Sequence, residues 1–242
     1  MENVELNRQP ASVYKKAKIR IGSDIIIYPY YDLVAFCGQR GSGKSYFSKT
    51  LVRKIQRVIV WDINREYSND HEKHVQKVCH SLKDVKDAYK NKYFDWQNKT
   101  SIAYQPQQSS YTEFDELCEY IYYNLTYVCL VVEEIGKFDL AHQPKDSAFK
   151  AIVDTGRHQG VGCFCLARRA KDIPYYLMSS ATHIFSFNTN RPEDIKYADD
   201  FLGDEYQSKL QNYIKNESGS PHSFCYFDGE KIVTTIHKPL SF

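Results

Sequence analysis

The chain has no apolar run approaching the roughly 18 residues needed to span a bilayer, so no membrane-crossing helix is expected. Its first residues, MENVELNRQP, lack the apolar core of a secretory signal. No two cysteines have the C-x-x-C spacing of a zinc site or a redox dithiol, and their number, 7, is odd. Cys37, Cys129, Cys163 and Cys165 fall inside apolar runs, so buried free thiols in a reducing, intracellular compartment are expected. Net charge is nearly absent too: 32 basic against 30 acidic residues leave +2, which argues neither for nor against nucleic acid. No repeat or low-complexity linker divides the chain, which reads as a loose basic arm over 1–20 followed by one domain over 21–242.

Glycine is scarce as well, at 11 of 242 residues, yet Gly38, Gly41 and Gly43 crowd into FCGQRGSGKS, Phe36 to Ser45. Clustered glycine marks backbone that must do what a side chain would block. Gly38, Gly43, Lys44 and Ser45 satisfy G-x-x-x-x-G-K-[ST], the loop whose backbone N–H groups curl around nucleotide phosphates. The expected nucleotide-contacting stretch is Gly38, Gln39, Arg40, Gly41, Ser42, Gly43, Lys44, Ser45 and Tyr46. Lys44 would reach the outer phosphates of ATP, and the Ser45 hydroxyl would ligate Mg²⁺.

The surroundings suit that loop. DLVAFCG before it is a buried strand by length and composition, and SYFSKTLVRKIQ after it places Phe47, Leu51 and Ile55 on one helix face. RVIVWD, TSIAYQP, YVCLVVEE, VGCFCLA and ATHIFSF read as further strands. Helices are expected at SLKDVKDAYKNKYF with Ser81 as cap, at TEFDELCEYIYYNL with Thr112 as cap, near Asp146–Thr155, and at RPEDIKYADDFL. Asn64 to Ser81 has no clear period and reads as loop, and SFCYFDGEKIVTTIHK as a hairpin turning at Asp228-Gly229. Such alternation implies an α/β fold: a central, mostly parallel sheet flanked by helices, with a C-terminal β-hairpin.

The apolar strand YVCLVVEE delivers two acids at its end. Glu133 would join the Mg²⁺ shell, and Glu134 would polarise the attacking water as general base. The usual first residue is Asp, one methylene shorter, so the two glutamates could exchange roles. HEKH (His71, His74) with Cys79 and His80 lacks a second well-spaced pair and reads as a polar loop rather than a zinc site. Lysines among aromatics from Lys83 to Lys99 can track nucleic acid, but a solvated helix face explains them as well. Asn98-Lys99-Thr100 is a glycosylation sequon without meaning inside a cell.

Downstream, DTGRHQGVGCFCLARRAKDIP and ATHIFSFNTNRPEDIKY resemble the HerA–FtsK superfamily of DNA-translocating ATPases. VIVWDINREY resembles its acidic segment through Asp62, Glu66 and Tyr67. The FDELCEYIYYN helix and the C-terminal hairpin resemble its small viral branch, the genome-packaging ATPases of membrane-containing icosahedral viruses. The resemblance implies an ASCE, RecA-like P-loop NTPase and a homo-oligomeric ring, pentameric or hexameric, acting on double-stranded DNA. The host-cell cytoplasm, and a capsid or membrane vertex of the virion, would be its setting. It casts Arg157 as a finger entering the neighbour's site; without it, Arg157 reads as a surface residue near a helix C-terminus. The family's sensor is commonly Gln, followed by Arg and Pro, where this chain has Arg168, Arg169 and Ala170. Either Arg168 meets phosphate directly or the sensing role differs.

Rival readings remain. A guanine-specific N-K-x-D is absent, and so is an Arg-rich lid of the nucleoside-kinase sort. A morphogenesis protein that binds ATP without pumping would need neither Glu134 nor Arg157. A related ATPase of conjugation or repair is the other alternative.

Overall fold

Every residue of the strands LVAFC, RVIVW, TSIAY, VCLVV and HIFSF is buried, which requires cover on both faces of their sheet. The computed structural model describes residues 17–68, 75–90, 100–107, 109–138, 146–216, 220–229, 231 and 233–239. The chain enters through a hairpin, β1 (Ile19–Ile21) and β2 (Ile25–Ile27), so the first strand begins within the stretch read as an arm; residues 1–16 lie outside the described ones. Then come β3 (Leu33–Cys37), α1 (Lys44–Lys54), β4 (Arg57–Trp61), β5 (Lys77–Cys79) and α2 (Leu82–Lys90). They are followed by β6 (Thr100–Tyr104), α3 (Tyr111–Asn124), β7 (Val128–Val132), α4 (Ala148–Gln159) and β8 (Val161–Ala167). The last elements are α5 (Tyr175–Ser180), β9 (His183–Phe187), α6 (Pro192–Leu202), α7 (Tyr206–Asn216), β10 (Phe224–Asp228) and β11 (Val233–His237).

Nine of these strands form one sheet in the order β11-β10-β9-β3-β8-β7-β4-β6-β5. From β9 to β5 every pairing is parallel; β10 and β11 join antiparallel at one edge. The C-terminal hairpin is therefore part of the main sheet. Its two strands end at the Asp228–Val233 pair, so the turn at Asp228-Gly229 is longer than two residues.

Alternate strand positions face opposite sides. Val34 and Phe36 pack with α1 and the β1–β2 hairpin, whereas Leu33, Ala35 and Cys37 belong to the core covered by α2 to α7. Phe47 of α1 is wedged among Phe36, Phe185, Phe187 and Phe224, with ring centroids 5.1–6.2 Å away. A buried phenylalanine contributes on the order of 1.5–3 kcal/mol, so this cluster fixes the helix that follows the glycine-rich loop.

Three expectations change. Ser110, not Thr112, caps α3: its Oγ accepts from the Glu113 N–H at 3.1 Å, and Thr112 lies inside the helix. The stretch read as loop before Ser81 contains the edge strand β5, too short and polar to show a period. Neither α5 nor α7 was expected. Ser81 does cap α2, its Oγ accepting from the Asp84 N–H at 3.2 Å. The described cysteines, all 7, are free and buried. His71, His74 and residues 91–99, with the basic and aromatic residues and the sequon there, lie outside the described residues.

Candidate nucleotide-binding site

The loop leaves β3 at its C-terminal end. The Gln39 N–H donates to the Asn188 carbonyl at 3.0 Å, and the Ser42 N–H to the Gln39 carbonyl at 3.2 Å. Gly43 then takes φ 95°, a conformation side chains rarely adopt, as the residue before α1. A Cβ there would meet the His222 ring at 3.1–3.3 Å. Gly43 has no side chain to cap the helix, and the first turn of α1 contains no acid. The first N–H donors and the positive end of the helix dipole are thus left to an anion.

They open onto a cleft of about 450 Å³. It is lined by residues Gln39 to Tyr46 together with Asn64, Glu66, Glu134, Arg168 and His222. Lys44 lines this cleft and is 6% exposed. Gln39, Arg40, Gly41, Ser42, Gly43, Lys44, Ser45, Tyr46, Glu134 and Arg168 are therefore brought together, with Gly38 behind them at the strand end. The cleft lies beyond the C-terminal ends of parallel strands, where α/β sheets bind ligands.

The two glutamates part company after β7. Glu133 points inward, is 2% exposed, and accepts from the Asn64 N–H at 3.2 Å through Oε2. Burial, then the carboxylates of Glu66 and Asp62, push its pKa up to about 8. Glu134 adopts φ 54°, ψ 54° and leads a short 3₁₀ turn, Ile135–Lys137, which swings its carboxylate into the cleft. There its Oε1 accepts from Arg168 Nε at 2.9 Å.

The segment after β4 is held by Asp62, which is fully buried. Its carboxylate accepts from the N–H of Glu66 at 2.8 Å and of Ser68 at 3.1 Å, and from the Ser68 hydroxyl at 2.8 Å. Tyr67 reaches Ser48 of α1. This turn presents Glu66 and Asn64 to the cleft. Asp62, Glu66 and Tyr67 carried the family resemblance, but sequence reading gave Glu66 no place in the site. Asn64 and His222 had no signal at all; His222 reaches Gly43 only because β10 pairs beside β9.

Arg157 is elsewhere. It sits exposed on the last turn of α4, which ends on Gly160 in the left-handed conformation, φ 72°. Seven residues of β8 separate this end of the sheet from Arg168, a rise of roughly 20 Å. Arg157 borders a separate hollow of about 220 Å³ with Asp32, Asp154 and Thr182. It cannot serve the cleft of its own chain.

Among the described residues no group of three or more His, Cys, Asp or Glu is arranged to hold a metal. Mg²⁺ in such sites is bound by few protein groups together with phosphate and water. The buried Glu133 beside Asp62 and Glu66 is a concentration of acid that a cation would relieve, so the residues fit that ion. No helix among the described residues is long and apolar enough to cross a membrane.

No protein-family model matches the sequence, and no curated protein does. Solved structures are similar in fold. The DNA-packaging ATPase B204 from Sulfolobus turreted icosahedral virus aligns over 87% of this chain and 98% of its own, with TM-score 0.64 and 20% identity. The genome packaging NTPase B204 from Sulfolobus turreted icosahedral virus 2, in complex with ATP-γS, gives 0.63 and 18% over 88% and 99%. The pCW3 conjugation coupling protein TcpA gives 0.57 and 12% over 92% and 65%. What is shared at such identities is the fold, the central, mostly parallel sheet flanked by helices that the sequence implied.

Proposed function

We propose that this chain is an ATP-hydrolysing motor that translocates double-stranded DNA, packaging a viral genome into a preformed capsid. The observation that carries the reading is the convergence of Lys44, Ser45, Glu134 and Arg168 on one cleft at a helix N-terminus. A fold shared with a DNA-packaging ATPase and with a genome packaging NTPase in complex with ATP-γS supports it.

The backbone of Gly41 to Ser45 would cradle the phosphates, with Lys44 on the outer ones. Mg²⁺, held by Ser45 and through water by Glu133, would neutralise charge there. Glu134 would orient the attacking water and accept its proton. Arg157 would enter the cleft of the next copy, since it lies at the far end of the sheet from its own. Stabilising charge on the γ-phosphate in this way is worth ~10³–10⁵ in rate. The working form is a homo-oligomeric ring of five or six copies of the domain that begins with β1, in the host cytoplasm and at a vertex of the virion.

The test is ATP turnover with and without long duplex DNA. Stimulation by DNA that disappears in Glu134→Gln, while nucleotide binding survives, supports the motor. Turnover indifferent to DNA removes it and leaves a nucleotide-binding protein of another kind. The likeness to TcpA favours a second reading, the same motor serving conjugation. Dependence on a preformed capsid separates the two.

A further inference from the structure

Gly136 occupies the middle of the 3₁₀ turn that follows Glu134, and its backbone does not explain the glycine. Its φ lies outside the left-handed region, so alanine would suit the conformation and lose less freedom on folding. Space explains it. A Cβ at Gly136 would lie 2.6 Å from Cβ of Asp172, and 3.1 Å from its Cγ and Oδ2. The nearest of these atoms is fixed to the backbone, so no change of the Asp172 rotamer removes it.

The rest of the turn is fixed by the core. Ile135 is fully buried, and Phe138, which closes the turn, stacks on Phe114 with ring centroids 4.6 Å apart. Asp172 belongs to a second 3₁₀ turn, Ala170–Asp172, whose two flanks are tied to α6. Arg169 before it is fastened by the buried Asp194, at 3.1 Å, and by Glu193. The Ile173 carbonyl after it accepts from the Tyr197 hydroxyl at 2.8 Å. Glu134 therefore stands at the head of a turn held between the aromatic core and a seat built on α6.

We propose that Gly136 and Asp172 are positioning residues for Glu134. The bare glycine lets its turn lie flush against the aspartate, and that contact sets where the carboxylate stands in the cleft. A side chain at Gly136 lifts the turn from its seat and carries Glu134 with it. A misplacement of about 1 Å at a reacting group costs on the order of a hundredfold in rate. The inference rests on the reading of Glu134 as the base that activates water for ATP hydrolysis.

Steady-state ATP turnover and calorimetric titration of β,γ-methylene-ATP, both with Mg²⁺, test it. Gly136→Ala should lower kcat by about tenfold to a hundredfold, with KM for ATP and affinity for the analogue unchanged. Adding Asp172→Gly should restore most of that rate, whereas adding Asp172→Ala, which keeps the obstructing Cβ, should not. Placed in Glu134→Gln, Gly136→Ala should cost nothing more, because the group it displaces is already gone. The positioning role is overturned if Gly136→Ala keeps the native rate, or if its analogue affinity falls along with kcat. It is equally overturned if Asp172→Gly restores nothing, if Asp172→Ala restores as much, or if the loss persists in Glu134→Gln. A native chain that does not hydrolyse ATP overturns the reading of the cleft itself. A native chain that does, beside an equally fast Gly136→Ala, overturns the positioning role alone.

Discussion

The Tyr67 hydroxyl and the Ser48 Oγ meet at 2.8 Å, both buried, tying the turn after β4 to the helix that begins at the phosphate loop. Through this bond and the Asp62 carboxylate, the segment carrying Glu66 is positioned against α1. Removing one partner takes this buried hydrogen bond away from the other where water does not readily replace it. Tyr67→Phe and Ser48→Ala are each expected to cost about 1–3 kcal/mol. The double variant should cost clearly less than their sum, as read by denaturant unfolding. Strict additivity would mean that the two hydroxyls do not depend on each other.

Glu133 carries a pH signature. Its pKa rises to about 8 in the fold, chiefly through burial, against an ordinary value near 4.5. Between those values the folded chain holds a proton that the unfolded chain has released. Stability of the nucleotide-free protein therefore falls as pH rises through that window. Glu133→Gln, which cannot ionise, should raise the melting temperature at pH 8 and leave it nearly unchanged at pH 5. An equal shift at both values would contradict the protonation account.

Gly43→Ala forces a side chain into the left-handed region against the His222 ring. The conformation alone costs roughly 1–2 kcal/mol. Nucleotide affinity should drop by about tenfold or more, because the loop must shift to accept the methyl group. Adding His222→Ala removes the contact but not the strain, so it should restore part of the loss. No restoration would mean that backbone conformation accounts for the whole effect.

The centre of the sheet was legible because strands such as LVAFC and VCLVV are apolar throughout, and the loop because its glycines are bunched. Helix α7 was not legible, since it docks partly through a polar side chain. Gln207 is fully buried; its Oε1 accepts from Ser186 Oγ at 2.7 Å and its Nε2 donates to the Phe187 carbonyl at 3.0 Å. Apolar periodicity cannot report such a contact. The cap of α3 was displaced by two residues because Ser110 and Thr112 both carry a hydroxyl, and backbone geometry alone chooses between them. Within the site, the contiguous loop could be read from spacing. His222 could not, being brought to Gly43 by strand pairing across the whole chain.

Arg157 and Glu134 lie at opposite ends of the sheet, so the account requires one copy to complete the site of the next. Mixing two inactive proteins tests this most directly. Arg157→Ala retains an intact cleft, and Glu134→Gln retains an intact Arg157. Each alone should hydrolyse ATP poorly, and their mixture, after subunit exchange, should regain turnover at junctions where an intact cleft faces an intact arginine. A mixture no more active than its components, or an Arg157→Ala protein as fast as the native chain, would contradict the shared site.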